Sequence, residues 1–293
     1  MNIESIKVDI VIPVFNGYEE LKTLVASFAS QINIEIVNII VPITIDENVD
    51  EANKTREYCI SNNIKTFDIQ KADFSHSLVR EKAIKEFCQS KIVILLTQDV
   101  KLIEPSSMYN LVKDIASDEV VYTFGRQLCP KRCIERYVRD FNYPKISYIA
   151  KQEKIDKYQI KAFFASDVFA GLNRNIFIKL NGYQGLALPT NEDMLYMHSL
   201  LTNGYHAKYC ADAVVEHYHS FTPHKLYRRY YDTGRFFKIV PLFNKYKKND
   251  SGWKLAKYIL KEAFKHFDLL TIIRWLPNMA IRYVAMKRGY RHN

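Results

Sequence analysis

Residues 91–99 read KIVILLTQD, an apolar run followed by a turn that carries the carboxylate of Asp99. Five consecutive aliphatic residues without a charge are typical of a strand that is buried on both faces of a sheet. We therefore predict a strand over residues 91–96, with Asp99 just beyond its carboxyl end.

The segments before this strand alternate between two patterns. Apolar runs predict strands at 8–15, 35–45 and 65–69, and helical spacing of apolar residues predicts helices at 18–30, 52–61 and 77–88. Short links between such elements predict a mostly parallel sheet with right-handed crossovers, which is an α/β fold. Ligands of such sheets bind beyond the carboxyl ends of the strands, where Asp46 and Asp99 lie.

After residue 105 the pattern is less regular, and residues 126–158 receive no assignment. We expect strands at 120–124, 163–172, 207–210 and 214–219, and helices at 174–180 and 192–203. The triplet Asn191-Glu192-Asp193 lies at the start of the last helix, where the helix dipole stabilises negative charge.

The positive charge of the chain is concentrated at its C-terminal end. Residues 225–293 contain 17 Lys or Arg and 4 Asp or Glu, a net charge of +13, so the preceding residues carry −3 of the total of +10. With 293 residues, we predict a domain at 1–222 and a basic amphipathic helical tail at 223–293. The tail suits an anionic membrane surface, with nucleic-acid binding, packing on the domain or a homodimer contact as alternatives.

Cysteine usage favours a reducing compartment. The chain has five cysteines, an odd number without dense spacing, and Cys129 and Cys133 lack the second pair that a zinc site needs. Residues 269–286 are apolar but contain Arg274, Pro277 and Arg282, and a spanning helix needs about 20 largely apolar residues. We expect a cytoplasmic protein that lies peripherally on the inner face of the cell membrane.

Five short motifs give the chain a resemblance to a known family. They are Val11-Ile12-Pro13-Val14-Phe15-Asn16, Leu96-Thr97-Gln98-Asp99, Phe169-Ala170-Gly171, Asn191-Glu192-Asp193 and Val215-Glu216-His217-Tyr218-His219. Because these motifs occur in the order found in inverting family 2 glycosyltransferases, the chain resembles that family. It is most similar to bacterial rhamnosyltransferases of polysaccharide assembly, through Phe74-Ser75-His76, Arg80, Thr97-Gln98-Asp99 and residues 227–235. The resemblance covers most of residues 7–238.

The resemblance implies a GT-A fold, a Rossmann-like and mostly parallel central sheet flanked by helices, here with a C-terminal basic helical appendage. It implies a metal-dependent transfer in which Asp99 and His217 hold Mg²⁺ or Mn²⁺ at the donor diphosphate. Thr97 stands where the family often has a first carboxylate. On a strand, His217 and His219 would alternate, so that only one of them faces the site.

The resemblance also implies the base and the donor site. An inverting transfer needs a carboxylate to deprotonate the acceptor, and family position favours Asp193 over Glu192. The residues implied in nucleotide-sugar binding are Pro13, Val14, Asn16, Asp46, His76, Arg80, Gln98, Asp99 and Gly171. We expect Arg80 to reach the diphosphate or Asp99, unless His76 and Arg80 only form an exposed cationic helix face.

The expected reaction moves L-rhamnose from dTDP-L-rhamnose to a lipid-linked or polysaccharide acceptor in bacterial O-antigen or capsule synthesis. A UDP-hexose donor is an alternative. A second alternative is a nucleotide-sugar-binding module without catalysis, because Thr97 replaces a carboxylate and the turn after Asp46 is irregular. The expected partners are a dTDP- or UDP-linked sugar, a glycan or glycolipid acceptor and an anionic membrane, but no nucleic acid.

Overall fold

A single mixed sheet forms the centre of the chain. The computed structural model of the protein describes residues 4–47, 49–219, 221–247 and 251–292. The strands of this part are β1 Ile6–Val11, β2 Ile34–Ile45, β3 Lys65–Gln70, β4 Ile92–Leu96, β5 Lys101–Leu102, β6 Tyr122–Leu128, β7 Tyr148–Ala150, β8 Phe169–Asn173 and β9 Ala207–Glu216. Their order is β3-β2-β1-β4-β8-β6-β9-β5, and β7 pairs with β9.

Helices flank the sheet and continue beyond it at the C-terminal end. They are α1 Tyr18–Ser27, α2 Val49–Ser61, α3 His76–Lys82, α4 Ser107–Ala116, α5 Ile134–Asn142, α6 Ile155–Tyr158, α7 Arg174–Lys179, α8 Glu192–Thr202, α9 Pro223–Ile239, α10 Ser251–Lys265 and α11 Leu269–Arg291. The helix α3 continues as a π-helical turn at Ala83–Phe87, so the predicted helix at 77–88 is present in two forms.

The parallel half of the sheet matches the prediction. Strands β3, β2, β1 and β4 pair in parallel, which confirms the expected α/β class. The strand predicted at 8–15 ends earlier, at Val11, because Pro13 cannot donate to a ladder. The chain returns to the sheet at Val14, whose amide donates to the carbonyl of Pro42 at 2.8 Å.

The other half contains an antiparallel insertion that the sequence pattern did not reveal. Strand β8 runs antiparallel between β4 and β6, and β9 is parallel to β6. Leu96 at the end of β4 therefore pairs with Phe169 at the start of β8, and the amide of Thr97 donates to the carbonyl of Val168 at 3.2 Å. Residues 97–99 and 166–168 consequently meet at one edge of the sheet.

Two predicted strand boundaries are wrong in this half. The strand expected at 163–172 begins only at Phe169, after a 3-10 turn at Gln159–Phe163. The strands expected at 207–210 and 214–219 form one strand, β9, which ends at Glu216. The residues 217–219 therefore lie beyond the sheet.

Apolar side chains fill both faces of the sheet. Val93 and Leu95 belong to one buried cluster, and their neighbours Ile94 and Leu96 belong to the other. This double burial explains why β4 is an uninterrupted apolar run instead of an alternating one. Burial at both faces also fixes its register, because a shift by one residue would exchange the two clusters.

The C-terminal helices pack on the sheet domain and on one another. Phe236 and Phe243 join the same buried cluster as Val93, and Ile259 of α10 packs against Tyr137 of α5. These contacts cross residue 222, so the division of the chain at that position stays a prediction. No helix among the described residues combines the length and apolar character that crossing a bilayer requires.

A close contact between α9 and α11 supplies a test of the packing. A Cβ on Gly234 of α9 would lie 2.1 Å from the carbonyl oxygen of Met286 in α11. We expect Gly234→Ala to lower the free energy of unfolding by about 1–3 kcal/mol, because the helices must separate. Urea denaturation measures this change.

Gly252→Ala is the matched control, because nothing lies within 4 Å of a Cβ at Gly252 in α10. We expect that variant to be neutral or up to about 1 kcal/mol more stable through its helix propensity. Equal stability of the Gly234→Ala variant and the parent chain would contradict the described contact between α9 and α11.

Candidate active site

An aspartate and two histidines meet at the carboxyl ends of β4 and β9. The Nε2 atom of His217 lies 3.5 Å from Oδ1 of Asp99, and Nδ1 of His219 lies 3.5 Å from Oδ2. One ligand atom from each residue falls within 4.8 Å of the others. Three such groups converging from two strand ends can hold a divalent ion.

The expectation that only one of the two histidines faces the site is wrong. It assumed strand alternation, but β9 ends at Glu216 and the following residues are free of that constraint. The amide of His217 still donates to the carbonyl of Leu128 at 3.0 Å, which anchors the turn at the end of β6. Both imidazoles can therefore turn toward Asp99.

The side chain of Gln127 fixes the tautomer of His217. Its Nε2 donates to the hydroxyls of Tyr143 at 2.7 Å and Ser166 at 2.8 Å, so its Oε1 is left to accept from Nδ1 of His217 at 3.0 Å. The lone pair of His217 then lies on Nε2, on the side of Asp99. This atom is buried and has no hydrogen-bond partner among the described residues.

The electrostatics of this cluster keep the imidazoles neutral. Burial and the positive charges of Arg139 and Arg229 lower the pKa of His217 well below its usual range. Burial also lowers the pKa of His219, against the opposing charge of Asp99. A carboxylate with two neutral imidazoles is a donor set that suits Mn²⁺, and the orphaned Nε2 of His217 is a lone pair available to it. The residues present therefore fit a divalent metal.

The loop after β1 is attached to the same edge of the sheet by Gln98. The amide of Phe15 donates to Oε1 of Gln98 at 2.7 Å, and Nε2 of Gln98 donates back to the carbonyl of Phe15 at 3.1 Å. A Cβ on Gly17 would lie 2.0 Å from that Nε2 atom, so only glycine allows this approach. The contact places Pro13, Val14 and Asn16 beside the turn that carries Asp99.

Asp46 lies at the end of β2, near the same loop. Its Oδ2 is 3.1 Å from Nζ of Lys71, and that ammonium lies 5.0 Å from the ring centre of Phe15. Asp46 is thus beside the loop that contains the predicted donor-binding residues. Its proposed contact with the nucleotide stays a prediction.

Asp193 lies in the first turn of α8 and is partly buried. Its Oδ1 accepts from the amide of Met194 at 2.7 Å, and its Oδ2 lies 3.4 Å from the amide of Asp167. Burial and the charges of Glu192 and Asp167 raise the pKa of Asp193 well above its usual range. A carboxyl group in this state binds a proton more strongly than an exposed aspartate does.

Arg80 is paired with Glu192 at the start of α8. Its Nη1 donates to Oε1 of Glu192 in a buried ion pair, and its own side chain is 4 % exposed. The alternative of an exposed cationic face is wrong for Arg80, and its contact with the diphosphate or Asp99 stays a prediction. His76 remains exposed at the start of α3, with its ring 4.8 Å from that of Phe74.

Asp167 is a site residue that the sequence reasoning missed. It is 3 % exposed and accepts hydrogen bonds from the hydroxyls of Tyr122 at 2.7 Å and Tyr183 at 2.6 Å. The only signal in the sequence is an aspartate just before the motif at 169–171. Because Gln127 holds Ser166 and Asp167 contacts Asp193, one short segment joins the Asp99 cluster to the base candidate.

Gly171 does not belong to the donor-binding set. It lies inside β8, where a Cβ would be 2.8 Å from Oγ1 of Thr123 and 3.1 Å from side-chain atoms of Ile115 and Val112. The glycine is required by packing under α4. The prediction that it allows the backbone to approach a ligand is therefore corrected.

Solved structures share this architecture. PcManGT, a mannosyltransferase from Pyrobaculum calidifontis in complex with GDP-Man and Mn²⁺, matches 98 % of this chain and 88 % of its own with a TM-score of 0.63 and 13 % identity. GalNAc-T7 with UDP, GalNAc and Mn²⁺ matches 81 % of this chain and 51 % of its own with a TM-score of 0.55 and 13 % identity. The central sheet and its flanking helices therefore have the GT-A fold.

Sequence similarity narrows this class. No protein-family model matches the chain. The O-antigen chain rhamnosyltransferase RfbN of Salmonella typhimurium (strain LT2) is 31 % identical over 231 residues, which are 78 % of this chain and 72 % of RfbN. WbaN of Salmonella anatum, also an O-antigen chain rhamnosyltransferase, is 28 % identical over 251 residues, or 85 % of this chain and 78 % of WbaN. The chain therefore belongs to this family of bacterial rhamnosyltransferases.

The metal cluster can be tested by binding. We expect Asp99→Asn and His217→Ala to weaken Mn²⁺ affinity at least about tenfold, since each removes a ligand. We expect Gln127→Ala to weaken it about 10–100-fold, because the tautomer of His217 is released. Titration calorimetry in the presence of a nucleoside diphosphate measures these affinities.

His206→Ala is the control for these variants, since His206 precedes the opposite end of β9. It should leave the affinity unchanged. The cluster would be excluded as a metal site if Asp99→Asn bound Mn²⁺ as tightly as His206→Ala does.

Proposed function

We propose that the chain transfers L-rhamnose from dTDP-L-rhamnose, with inversion, to a hydroxyl group of a lipid-linked O-antigen precursor. The sugar and the pathway are taken from the names of its relatives. The observation that carries the mechanism is the hydrogen-bonded segment at 166–168, which joins the Asp99 cluster to Asp193. The same segment thereby holds the proposed leaving-group site at Asp99 and the proposed base Asp193 in fixed relative positions.

The donor diphosphate would bind on the Asp99 side. Asp99, His217 and His219 would hold a divalent cation there, and such a cation neutralises the charge that the leaving nucleotide acquires. Two imidazoles in the donor set favour Mn²⁺ over Mg²⁺. The loop held by Gln98 and the carboxylate of Asp46 would contact the nucleoside part of the donor.

Asp193 is the base that the geometry favours among three neighbouring carboxylates. Glu192 is engaged by Arg80, and Asp167 by two tyrosine hydroxyls. Asp193 accepts hydrogen bonds only from backbone amides of the described residues, and its side chain remains partly accessible. It would accept the proton of the acceptor hydroxyl while that oxygen attacks the anomeric carbon, and its raised pKa strengthens it as a base.

The alternative hypothesis, a nucleotide-sugar-binding module without catalysis, loses its main support. That hypothesis rested on Thr97, which replaces a family carboxylate. The imidazoles of His217 and His219 both supply metal ligands, whereas the sequence pattern predicted only one of them at the site. The proposed base is also present, so both halves of the reaction have residues to perform them.

Transfer assays test the proposal. We expect Asp193→Asn to lower kcat about 10²–10⁴-fold, because general base catalysis is lost while the donor site is kept. Rhamnose transfer from dTDP-L-rhamnose to lipid-linked acceptors from O-antigen-forming membranes would be measured, with UDP-glucose as the competing donor. Transfer from UDP-glucose alone would overturn the donor assignment, and full activity of Asp193→Asn would overturn the base.

Glu192→Gln is the matched partner of that variant. The negative charge of Glu192 helps to raise the pKa of Asp193, so its removal should lower that pKa. Because the base must be deprotonated, the acidic limb of the pH profile of kcat/KM should then move to lower pH. An unchanged profile would show that another group titrates in that limb.

The C-terminal helices support binding to a membrane surface. Large apolar side chains at the junction of α10 and α11 are exposed, Phe267 to 85 % and Ile273 to 74 %. The remaining members of this exposed group are Phe264, Leu269, Leu270 and Leu276. Exposed Lys261, Lys265 and Arg274 lie among them. Apolar residues beside cations suit the interface of an anionic bilayer, where a lipid-linked acceptor would reside.

Liposome co-sedimentation tests this surface. We expect the double variant Ile273→Glu and Leu276→Glu to lose binding to vesicles that contain anionic lipid, because buried charge opposes insertion. Ile60→Glu is the control, since Ile60 is similarly exposed but lies on α2. Equal binding of both variants, or binding to oligonucleotides in place of vesicles, would contradict the membrane assignment.

A further inference from the structure

Two arginines lie near the Asp99 cluster, and of the two only Arg139 has a side chain that hydrogen-bonds to a protein group among the described residues. The Nε of Arg139 donates to the carbonyl of His217 at 3.3 Å, and its Nη2 lies 3.3 Å from the ring atom Nδ1, which carries the proton donated to Gln127, so only the first contact is a hydrogen bond. Arg139 therefore helps to position His217. Arg229 lies on a different element, the helix α9 in the basic C-terminal segment.

Two successive contacts through the ring of Phe221 connect Arg229 with His219. Its guanidinium lies 5.8 Å from the ring centre of Phe221. That ring is 5.5 Å from the ring of His219, which contacts Asp99. Arg229 also lies seven residues before Phe236, which is buried in the cluster on the sheet, so both residues occupy the face of α9 that is turned toward the domain.

Arg229 has an exposed side chain and no carboxylate to neutralise it in the part of the chain that the structure describes. The arginines that form ion pairs with carboxylates there are Arg56, Arg80 and Arg282. Arg229 is not among these arginines. Its neighbour Arg228 differs, because it lies within the field of Asp232.

We propose that Arg229 binds the diphosphate of the nucleotide-sugar donor, so that α9 completes the active site. This inference rests on the proposed function. In the transfer, the bond between the anomeric carbon and the phosphate oxygen breaks, and its electron pair stays on that oxygen. The acceptor oxygen forms the new bond to carbon, and its proton passes to Asp193. Arg229 stabilises the charge that develops on the departing diphosphate.

Guanidinium chemistry suits this role. Its planar array of donors matches the oxygens of a phosphate better than a lysine ammonium does, and it stays charged at all relevant pH values. Asp99 is the sole carboxylate of the metal cluster among the described residues, so the cluster itself adds little negative charge. A free cation beside it gives the site the net positive field that a diphosphate requires.

Calorimetry with dTDP and Mn²⁺ tests the inference on the full chain. We expect Arg229→Ala to weaken dTDP binding about 10–100-fold, as expected for the loss of a hydrogen-bonded charge. The dTDP affinity of Arg229→Lys should fall between those of Arg229→Ala and the parent, because lysine retains the charge but lacks the planar array of donors. Arg228→Ala is the matched control and should bind dTDP as the parent does, and thermal melting checks that each variant is folded.

The outcomes separate this inference from the proposed function. If the parent binds dTDP and Arg229→Ala binds it equally well, the inference is overturned and the proposed function stands. If the parent binds neither dTDP nor UDP in the presence of Mn²⁺, the proposed function is overturned and the inference with it. Arg229→Gln is measured in parallel, so that the result does not depend on the folding of one variant.

Discussion

The side-chain amide of Gln127 is the constraint on which the rest of the site depends. It is 2 % exposed, and it uses both of its donor hydrogens on Tyr143 and Ser166 and its acceptor on His217. In this orientation the buried amide satisfies all three partners, and its oxygen faces Nδ1 of His217. The same contact thus selects the tautomer of His217 and holds the segment that leads to Asp167.

Burial of like charges sets the chemistry on the other side of that segment. Asp167, Glu192 and Asp193 are close together, and Arg80 is the cation that lies among them. One guanidinium cannot balance three carboxylates in a poorly solvated place, so the pKa of Asp193 is raised above that of an exposed aspartate. The architecture therefore raises the basicity of the carboxylate that remains partly accessible.

The sequence predicted the parallel strands well because each of them is a local apolar run that needs no knowledge of its partners. It also placed Asp99 at a strand end, which β4 confirms. It did not reveal Asp167 or the pairing of Arg80 with Glu192, because these contacts join residues that lie far apart in the chain. The antiparallel insertion of β8 is of the same kind. The prediction for Gly171 was wrong for another reason. A sequence motif does not distinguish a glycine required by packing from one that faces a ligand.

We propose that the Asp99 cluster binds the leaving diphosphate while Asp193 activates the acceptor hydroxyl on the opposite face of the sugar. The anomeric configuration of the product tests this arrangement most directly. Proton NMR of the rhamnoside formed from a donor of known configuration should show inversion at the anomeric carbon, because the attack is in line with the departing phosphate. Retention of the donor configuration would contradict the account.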